Sequence, residues 1–386
     1  EAAGVLDTQA RSLLDGRGSL RVGAPHPEDP LGAEEGESSV GPACAAGQAE
    51  ALIEPLRELA ARIETLLPAV QGLWAGAGEE AEEHPVVFES KLQLRRLAHV
   101  ADLCRRFQRW AQQADSVHWL EARKSYRGEP FARFVITPLS VAPLLREAIY
   151  EPYRTVLFTS ATLTVSGRFD YFRARLGLNG LPQREVAEAV FPSPFRYRQR
   201  VFLGVPADAP EPDDEGFVAF VADTVREAIL ISEGRALVLF TSYALLQQTW
   251  AAVADDLQTA GLPVLRQGDD DRARLLNRFR DNPGSVLLAT DSFWEGVDAP
   301  GEALELVIVP RLPFRVPSDP VLQARMEAIR AAGGNPFWEL ALPDAVIRLR
   351  QGFGRLMRRA DDRGAVLILD SRLARKPYGR YFLESL

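Results

Sequence analysis

The chain has 386 residues, 46% of them hydrophobic, and a net charge of −8 at pH 7. This length predicts two or three domains with apolar cores, and the acidic balance argues against a uniformly basic nucleic-acid coat, although a local arginine-lined groove is compatible with it. No apolar stretch reaches membrane-spanning length and no N-terminal signal segment is evident, so a cytoplasmic protein without a membrane partner is expected.

The first part of the chain, residues 1 to about 130, predicts a helical region. Apolar residues recur at steps of three and four from Leu52 to Val70 and again from Leu92 to Trp110. Acidic loops rich in glycine and proline lie beside these stretches, at 23–47 and 72–85. We expect the two helices to pair into a small bundle with their cysteine and tryptophan residues in its core.

From about residue 131 the pattern changes to alternating strands and helices. Six short apolar runs predict strands: 156–159, 201–205, 236–240, 285–289, 304–309 and 365–369. Five amphipathic stretches predict helices between them: 216–231, 243–260, 269–280, 320–332 and 337–349. Buried strands that alternate with helices are typical of a parallel sheet covered on both faces, so the predicted fold class is α/β.

Metal-binding patterns are missing from the sequence. Cys44, Cys104 and four scattered histidines supply no ligand spacing. We therefore expect no metal to be held by this chain alone.

Small polar residues follow two of the predicted strands, at the carboxyl edge where parallel sheets place functional groups. Ser160 and Thr162 follow the strand 156–159, where hydroxyls bind a neighbouring segment or a phosphate, or form a structural turn. Thr241 and Ser242 follow the strand 236–240. They predict either a phosphate contact at a helix N-terminus or an ordinary N-cap.

The loop after the strand 285–289 combines Thr290 with acids, a glycine and an aromatic residue, up to Asp298. An acid in this loop can accept hydrogen bonds from a ribose or hold an arginine. Trp294 either stacks on a base or fills the core.

The segment 351–358 sets Arg355 and Arg358 three residues apart, one turn after Gln351. On a helix this spacing makes the arginines neighbours. Two permanently charged guanidinium groups beside a glutamine suit the charge that develops on a transferred phosphoryl group. The pattern predicts an arginine-finger motif on one helical face.

Together these segments resemble the C-terminal motifs of superfamily 2 helicases, in particular the DinG/XPD-like branch. Residues 159–163 resemble motif III, 239–243 motif IV, 289–298 motif V and 351–358 motif VI. The segments 169–172, 191–195 and 309–314 also resemble the family's sequence between the motifs. The resemblance runs from about residue 131 to the end of the chain, and the order and spacing of the four motifs agree.

The resemblance implies two RecA-like domains that clamp ATP and Mg²⁺ and move along single-stranded DNA, usually 5′ to 3′, in DNA repair or replication. It places the nucleotide contacts at Arg355, Arg358, Gln351, Glu295, Gly296 and Asp298. It places the DNA contacts at Thr241, Ser242, Gln267, Thr290 and Trp294. It assigns coupling between the two domains to Ser160 and Thr162. A monomer is expected.

The chain departs from the family because it contains no lysine in the P-loop pattern. A nucleotide-binding P-loop needs a lysine after glycine and before serine or threonine, and Lys91, Lys124 and Lys376 do not fit this pattern. An apolar strand that ends in Asp-Glu-x-His is missing too, so we expect this chain alone not to hydrolyse ATP.

We therefore expect a fragment that begins after motif II. It comprises a helical arch-like insertion (1–130), the end of the first RecA-like domain (131–167) and a second RecA-like domain (168–386). Whether the parent carries an iron–sulfur cluster stays open, because this chain supplies no ligands for one. The alternatives are a non-hydrolysing module that binds single-stranded nucleic acid or a protein, and a nuclease, which the missing paired-carboxylate site disfavours.

Overall fold

The computed structural model describes residues 1–22, 49–72, 85–181, 184–290, 293–294, 304–315, 319–357, 359 and 361–386. These residues form two compact units. One comprises 1–141 together with 316–333, and the other comprises 142–315 together with 334–386. The predicted division near residue 130 falls at the beginning of a strand of the first unit, and the three-part division stays a prediction.

The first unit joins helices to a small antiparallel sheet. Its strands are β1 (Ser19–Arg21), β2 (Ser116–Lys124) and β3 (Pro130–Pro138), in the order β1-β2-β3. Its α-helices are Ala2–Leu14, Ile53–Gly72, Pro85–Gln108 and Pro320–Ala331, with single 3₁₀ turns at Glu50–Leu52 and Trp110–Gln112. The predicted helical pair is thus confirmed, and the hairpin β2–β3 is an addition that the sequence did not reveal.

The core of the first unit forms where the paired helices cover the sheet. Leu56 and Phe107 from the helices pack with Leu120 of β2, all of them buried. His118 is buried beside Phe107, with ring centroids 5.3 Å apart in an edge-on arrangement. Burial lowers the pKa of His118, although hydrogen bonds with the backbone of Arg106 and Ser116 oppose this effect.

A late segment of the chain completes the first unit. The helix Pro320–Ala331 begins with Asp319, whose carboxylate accepts hydrogen bonds from two amides of the first turn. From this helix Glu327 forms an ion pair with Arg21 of β1 at 2.7 Å. Arg325 donates to the carbonyl oxygen of Leu139 at 2.9 Å. The N-terminal sheet is therefore stabilised by residues that lie about 300 positions later.

The second unit contains a parallel six-stranded sheet in the order β4-β9-β8-β5-β7-β6. Its strands are β4 (Val201–Gly204), β5 (Ala236–Leu239), β6 (Val264–Arg266), β7 (Val286–Ala289), β8 (Leu306–Val309) and β9 (Gly364–Ile368). Every residue of β5, β7 and β8 is buried, because apolar clusters cover both faces. The predicted α/β class with a RecA-like parallel sheet is confirmed.

Helices lie between these strands, as the sequence predicts. The longer α-helices are Phe217–Ile231, Tyr243–Thr259, Arg272–Asp281 and Leu342–Phe353. The shorter ones are Ala142–Leu145, Asp170–Leu176, Tyr197–Arg200, Arg372–Arg375 and Gly379–Ser385, and π-helical turns occur at Arg146–Tyr150 and Phe337–Ala341. None of the helices in the described ranges combines the length and apolar character that spanning a bilayer requires.

The predicted strand 156–159 is wrong. These residues form no strand and pair with no described strand, and Leu157 exposes 85% of its surface. An apolar run becomes a strand only where neighbouring strands accept its backbone hydrogen bonds.

Candidate nucleic-acid interface

Polar residues follow five neighbouring strands at the carboxyl edge of the parallel sheet. They lie one residue beyond β6 and β7, and two residues beyond β5, β8 and β9. In spatial order these residues are Gln267, Thr290, Thr241, Arg311 and Asp370. We call this set the polar row. Because neighbouring strands lie about 4.8 Å apart, the row extends roughly 19 Å across the sheet.

Gln267 and Thr290 are joined within this row. The side-chain oxygen of Gln267 accepts hydrogen bonds from the backbone N–H of Thr290 at 2.6 Å and from its hydroxyl at 3.0 Å. The backbone of Gln267 is fixed as well, because its N–H donates to Leu288 and its carbonyl oxygen accepts from the Tyr243 hydroxyl.

Ser242 caps the helix Tyr243–Thr259. Its backbone is extended, and its hydroxyl oxygen accepts a hydrogen bond from the N–H of Leu245 at 3.2 Å. The N-cap alternative therefore holds for Ser242, while Thr241 lies half-buried beside it. The helix terminus at this point of the polar row favours negative charge.

Trp294 does not present its ring to solvent. The side chain is 3% exposed, and its indole N–H donates to the carbonyl oxygen of Phe240 at 3.3 Å. The ring also packs against Gly352 of the helix Leu342–Phe353. The expectation of base stacking is therefore wrong for this residue, because a large aromatic ring gains more from burial in the core.

The predicted helical face of motif VI is interrupted. The helix ends at Phe353, Gly354 follows as its C-cap, and Arg355 lies beyond it. The Nε–H of Arg355 donates to the backbone oxygen of Gln351 at 3.0 Å, so these two half-buried residues do meet. Glycine stabilises a helix poorly, which explains the early end.

Motif VI contacts the sheet at two places. Gly352 packs against Trp294, whose indole N–H bonds to Phe240 just beyond β5. Leu356, which follows Arg355, lies against Gly364 at the beginning of β9.

Four predicted nucleotide contacts lie outside the described residues: Glu295, Gly296, Asp298 and Arg358. Ser160 and Thr162 are described, and they form a local turn in which the N–H of Thr162 donates to the Ser160 hydroxyl at 3.2 Å. Their predicted coupling role stays a prediction.

The sequence analysis missed the charged cluster beyond β8 and β9. Asp370 is completely buried and accepts two hydrogen bonds from the guanidinium of Arg372, at 2.9 and 2.8 Å, and one from the N–H of Leu312 at 2.8 Å. Burial opposes the charge of Arg372, but these bonds outweigh it and raise the pKa of the guanidinium. An acid directly after a buried parallel strand was the available signal.

Arg311 belongs to the same cluster. Its guanidinium contacts the carbonyl oxygen of Pro212 and lies 3.4 Å from the carboxylate of Asp213. Its Cζ is 5.1 Å from the ring centroid of Phe217. Burial lowers the pKa of Arg311, and Asp213 opposes this effect, but arginine remains charged at any physiological pH.

A parallel sheet with polar residues along its carboxyl edge is typical of α/β domains that bind a ligand at that edge. Residues 225–386 match the helicase C-terminal domain family. Together with the relatives described next, this match and the fold place the chain among the DinG/XPD-like superfamily 2 helicases, as a C-terminal part.

Two curated relatives and one solved structure define the similarity. The chain is 44% identical over 253 residues to the ATP-dependent DNA helicase YoaA of Escherichia coli K12, covering 65% of this chain and 38% of that protein. It is 33% identical over 344 residues to the 3'-5' exonuclease DinG of Bacillus subtilis 168, covering 86% and 36%. The chain thus spans less than two fifths of these relatives.

A solved XPD helicase structure covers 86% of this chain, and the chain covers 63% of that structure, with a TM-score of 0.50 and 15% identity. This likeness concerns the fold alone.

Proposed function

We propose that the chain is the C-terminal part of an ATP-dependent DNA helicase. In this proposal the polar row lies along the backbone of single-stranded DNA, and Gln351, Arg355 and Arg358 approach the phosphates of ATP held by a domain that supplies the P-loop. ATP hydrolysis then drives movement on the strand, 5′ to 3′, and duplex unwinding in repair or replication. The protein acts as a monomer.

The observation that carries the proposal is the joined pair of Gln267 and Thr290. Two polar side chains from neighbouring strand ends fix each other by two hydrogen bonds. Amide and hydroxyl groups at strand ends are of the kind that contact phosphate oxygens, because phosphate accepts hydrogen bonds. Such contacts position the backbone without base specificity.

Motif VI supports the nucleotide part of the proposal. The bond from Arg355 to the backbone of Gln351 restricts the guanidinium without neutralising it. A preorganised positive charge stabilises the charge that spreads over a transferred phosphoryl group. Glu295, Gly296 and Asp298 border the nucleotide in this proposal, and Ser160 and Thr162 couple the domains.

In this proposal Mg²⁺ belongs to the complete enzyme. Among the described residues, no group of three or more His, Cys, Asp or Glu side chains is placed to bind a metal ion.

The test of the DNA contact is a titration of the chain with fluorescent oligothymidylate at several salt concentrations. We expect Gln267→Ala and Thr290→Val to weaken binding at every salt concentration while the slope of log affinity against log salt stays nearly unchanged, because neutral side chains bond to phosphate without displacing counterions. Gln258→Ala is the matched control, because this exposed glutamine lies at the other end of the helix Tyr243–Thr259. Salt-independent binding, or equal losses in all three variants, would refute the assignment.

The test of the nucleotide part is ATP turnover. No lysine of the chain fits the P-loop pattern, so we expect no DNA-stimulated hydrolysis by this chain alone. Turnover that disappears with Arg358→Ala would contradict this expectation. A full-length protein that hydrolyses ATP only when DNA is present would support the helicase over a non-hydrolysing binding module.

A further inference from the structure

Arg311 is the cationic end group of β8 within the polar row, and an acidic loop of the same unit covers it. This loop joins β4 to the helix Phe217–Ile231 and spans residues 206–216. It carries five acids: Asp208, Glu211, Asp213, Asp214 and Glu215. Two of them reach basic side chains, since Asp213 contacts Arg311 and Glu211 lies 3.6 Å from Lys376.

We propose that Arg311 and Lys376 form a further contact for the phosphate backbone of single-stranded nucleic acid, which the acidic loop occupies as an internal phosphate mimic until the strand displaces it. This inference rests on the proposed function of the polar row.

The strand register places Arg311 on that row. β5 and β8 are parallel neighbours in which Leu237 pairs with Val307 and Val238 with Ile308. The same offset, continued beyond the strand ends, sets Thr241 beside Arg311. Because neighbouring strands lie about 4.8 Å apart, a backbone that contacts Thr241 comes within reach of the long Arg311 side chain.

The groups that Arg311 now binds are the kind that a phosphate would replace. A carboxylate and a carbonyl oxygen accept hydrogen bonds from its guanidinium. The planar fork of donors in arginine matches phosphate oxygens equally well. The fork is also incompletely used, since the buried Nε of Arg311 has no hydrogen-bond partner among the described residues.

The loop contacts are exposed enough to exchange. The side chain of Asp213 is 69% exposed and that of Glu211 is 38% exposed. Exposed ion pairs contribute little to stability and weaken with salt. The neighbouring pair of Asp370 and Arg372 is different, because its carboxylate is completely buried and doubly bonded, so that arginine is fixed.

The experiment compares loop variants of the full 386-residue chain in the oligothymidylate titration. Asp213→Asn removes the negative charge that faces Arg311. We expect the affinity for oligothymidylate at low salt to rise about twofold to fivefold. Asp208→Asn is the matched control, because it removes the same charge from an exposed position of the same loop, and among the described residues Arg311 pairs with Asp213 and not with Asp208. Asp214 is left intact, because its carboxylate accepts from the N–H of Glu211 and shapes the loop.

Adding Arg311→Gln to Asp213→Asn should abolish the gain and make the salt slope shallower by about 0.7. Thermal unfolding of each variant checks that the fold is retained. Equal affinities of Asp213→Asn and Asp208→Asn, with wild-type binding intact, overturn this inference alone. A gain that survives Arg311→Gln also overturns it. If no protein in the series shows salt-dependent binding, the proposed function fails and this inference fails with it.

Discussion

Gly352 lies in the helix Leu342–Phe353, where the backbone comes close to core side chains. A Cβ atom added there would lie 2.8 Å from both Cε3 and Cζ3 of Trp294 and 3.2 Å from Cδ1 of Leu239. Ordinary contacts of this kind begin at 3.4 Å. In Gly352→Ala the helix or the indole must therefore move by about 0.6 Å, in a close-packed core that resists such shifts.

Two effects of opposite sign decide the result. Replacing glycine by alanine within a helix favours folding by up to about 1 kcal/mol, whereas overpacking a core typically costs about 1–3 kcal/mol. The indole is buried and held by its bond to Phe240, so it cannot turn aside. We expect a net loss of about 1–2 kcal/mol.

The matched control is Gly4→Ala. Gly4 lies inside the helix Ala2–Leu14 and has no atom within 4 Å of an added Cβ. Native-state hydrogen exchange measures each unit separately, which matters because a single unfolding free energy is not defined for two units. Protection of the helix Leu342–Phe353 should fall in Gly352→Ala, whereas protection of the control helix should rise. If both substitutions increase protection, the close approach to Trp294 does not limit packing.

Three further predictions concern other sites. Burial lowers the pKa of His118 from 6.5, so the unfolded chain binds a proton first as the pH falls. The first unit should therefore lose stability below about pH 6.5, and hydrogen exchange of β2 should show this loss. An equal loss in His118→Phe would contradict the prediction. Asp370→Asn leaves the half-buried Arg372 without its charged partner and should cost about 3 kcal/mol, against almost nothing for the exposed Asp361→Asn, as measured by native-state hydrogen exchange of β8 and β9. In a full-length protein, Arg355→Ala or Arg358→Ala should lower ATP turnover by on the order of 10³-fold or more while DNA affinity persists, and wild-type turnover by Arg358→Lys would refute the bidentate contact.

Continuous apolar runs predicted five strands of the parallel sheet, because most of these strands are apolar and buried on both faces. The strands β1, β2, β3 and β6 escaped prediction because they are very short or only partly buried. β1 and β6 are only three residues long, and β2 mixes buried Val117 and Leu120 with a charged end at Arg123 and Lys124. A half-exposed antiparallel strand carries a weaker apolar signal than a buried one.

The candidate site was predictable where sheet topology alone decides neighbours. Gln267 and Thr290 meet because both follow strands that end at one edge. Sheet topology alone does not predict where Trp294 and the arginines of motif VI lie. Burial of the indole depends on the space that Gly352 leaves, and the helix end at Phe353 depends on two nearby glycines. Residue spacing alone predicts neither the burial nor the helix end.

The ion pair between Arg21 and Glu327 links residues 306 positions apart within one unit. At a synthesis rate of about 5–20 residues per second, the partner of Arg21 leaves the ribosome about 15–60 s after Arg21 itself. During that interval the surface of β1 and β2 that later receives the helix Pro320–Ala331 remains uncovered. The strands β4 to β8 of the second unit are synthesised in the same interval. An N-terminal unit cut out at residue 141 would keep this surface exposed permanently, so recombinant production of that unit calls for a linker that returns 316–333 to it.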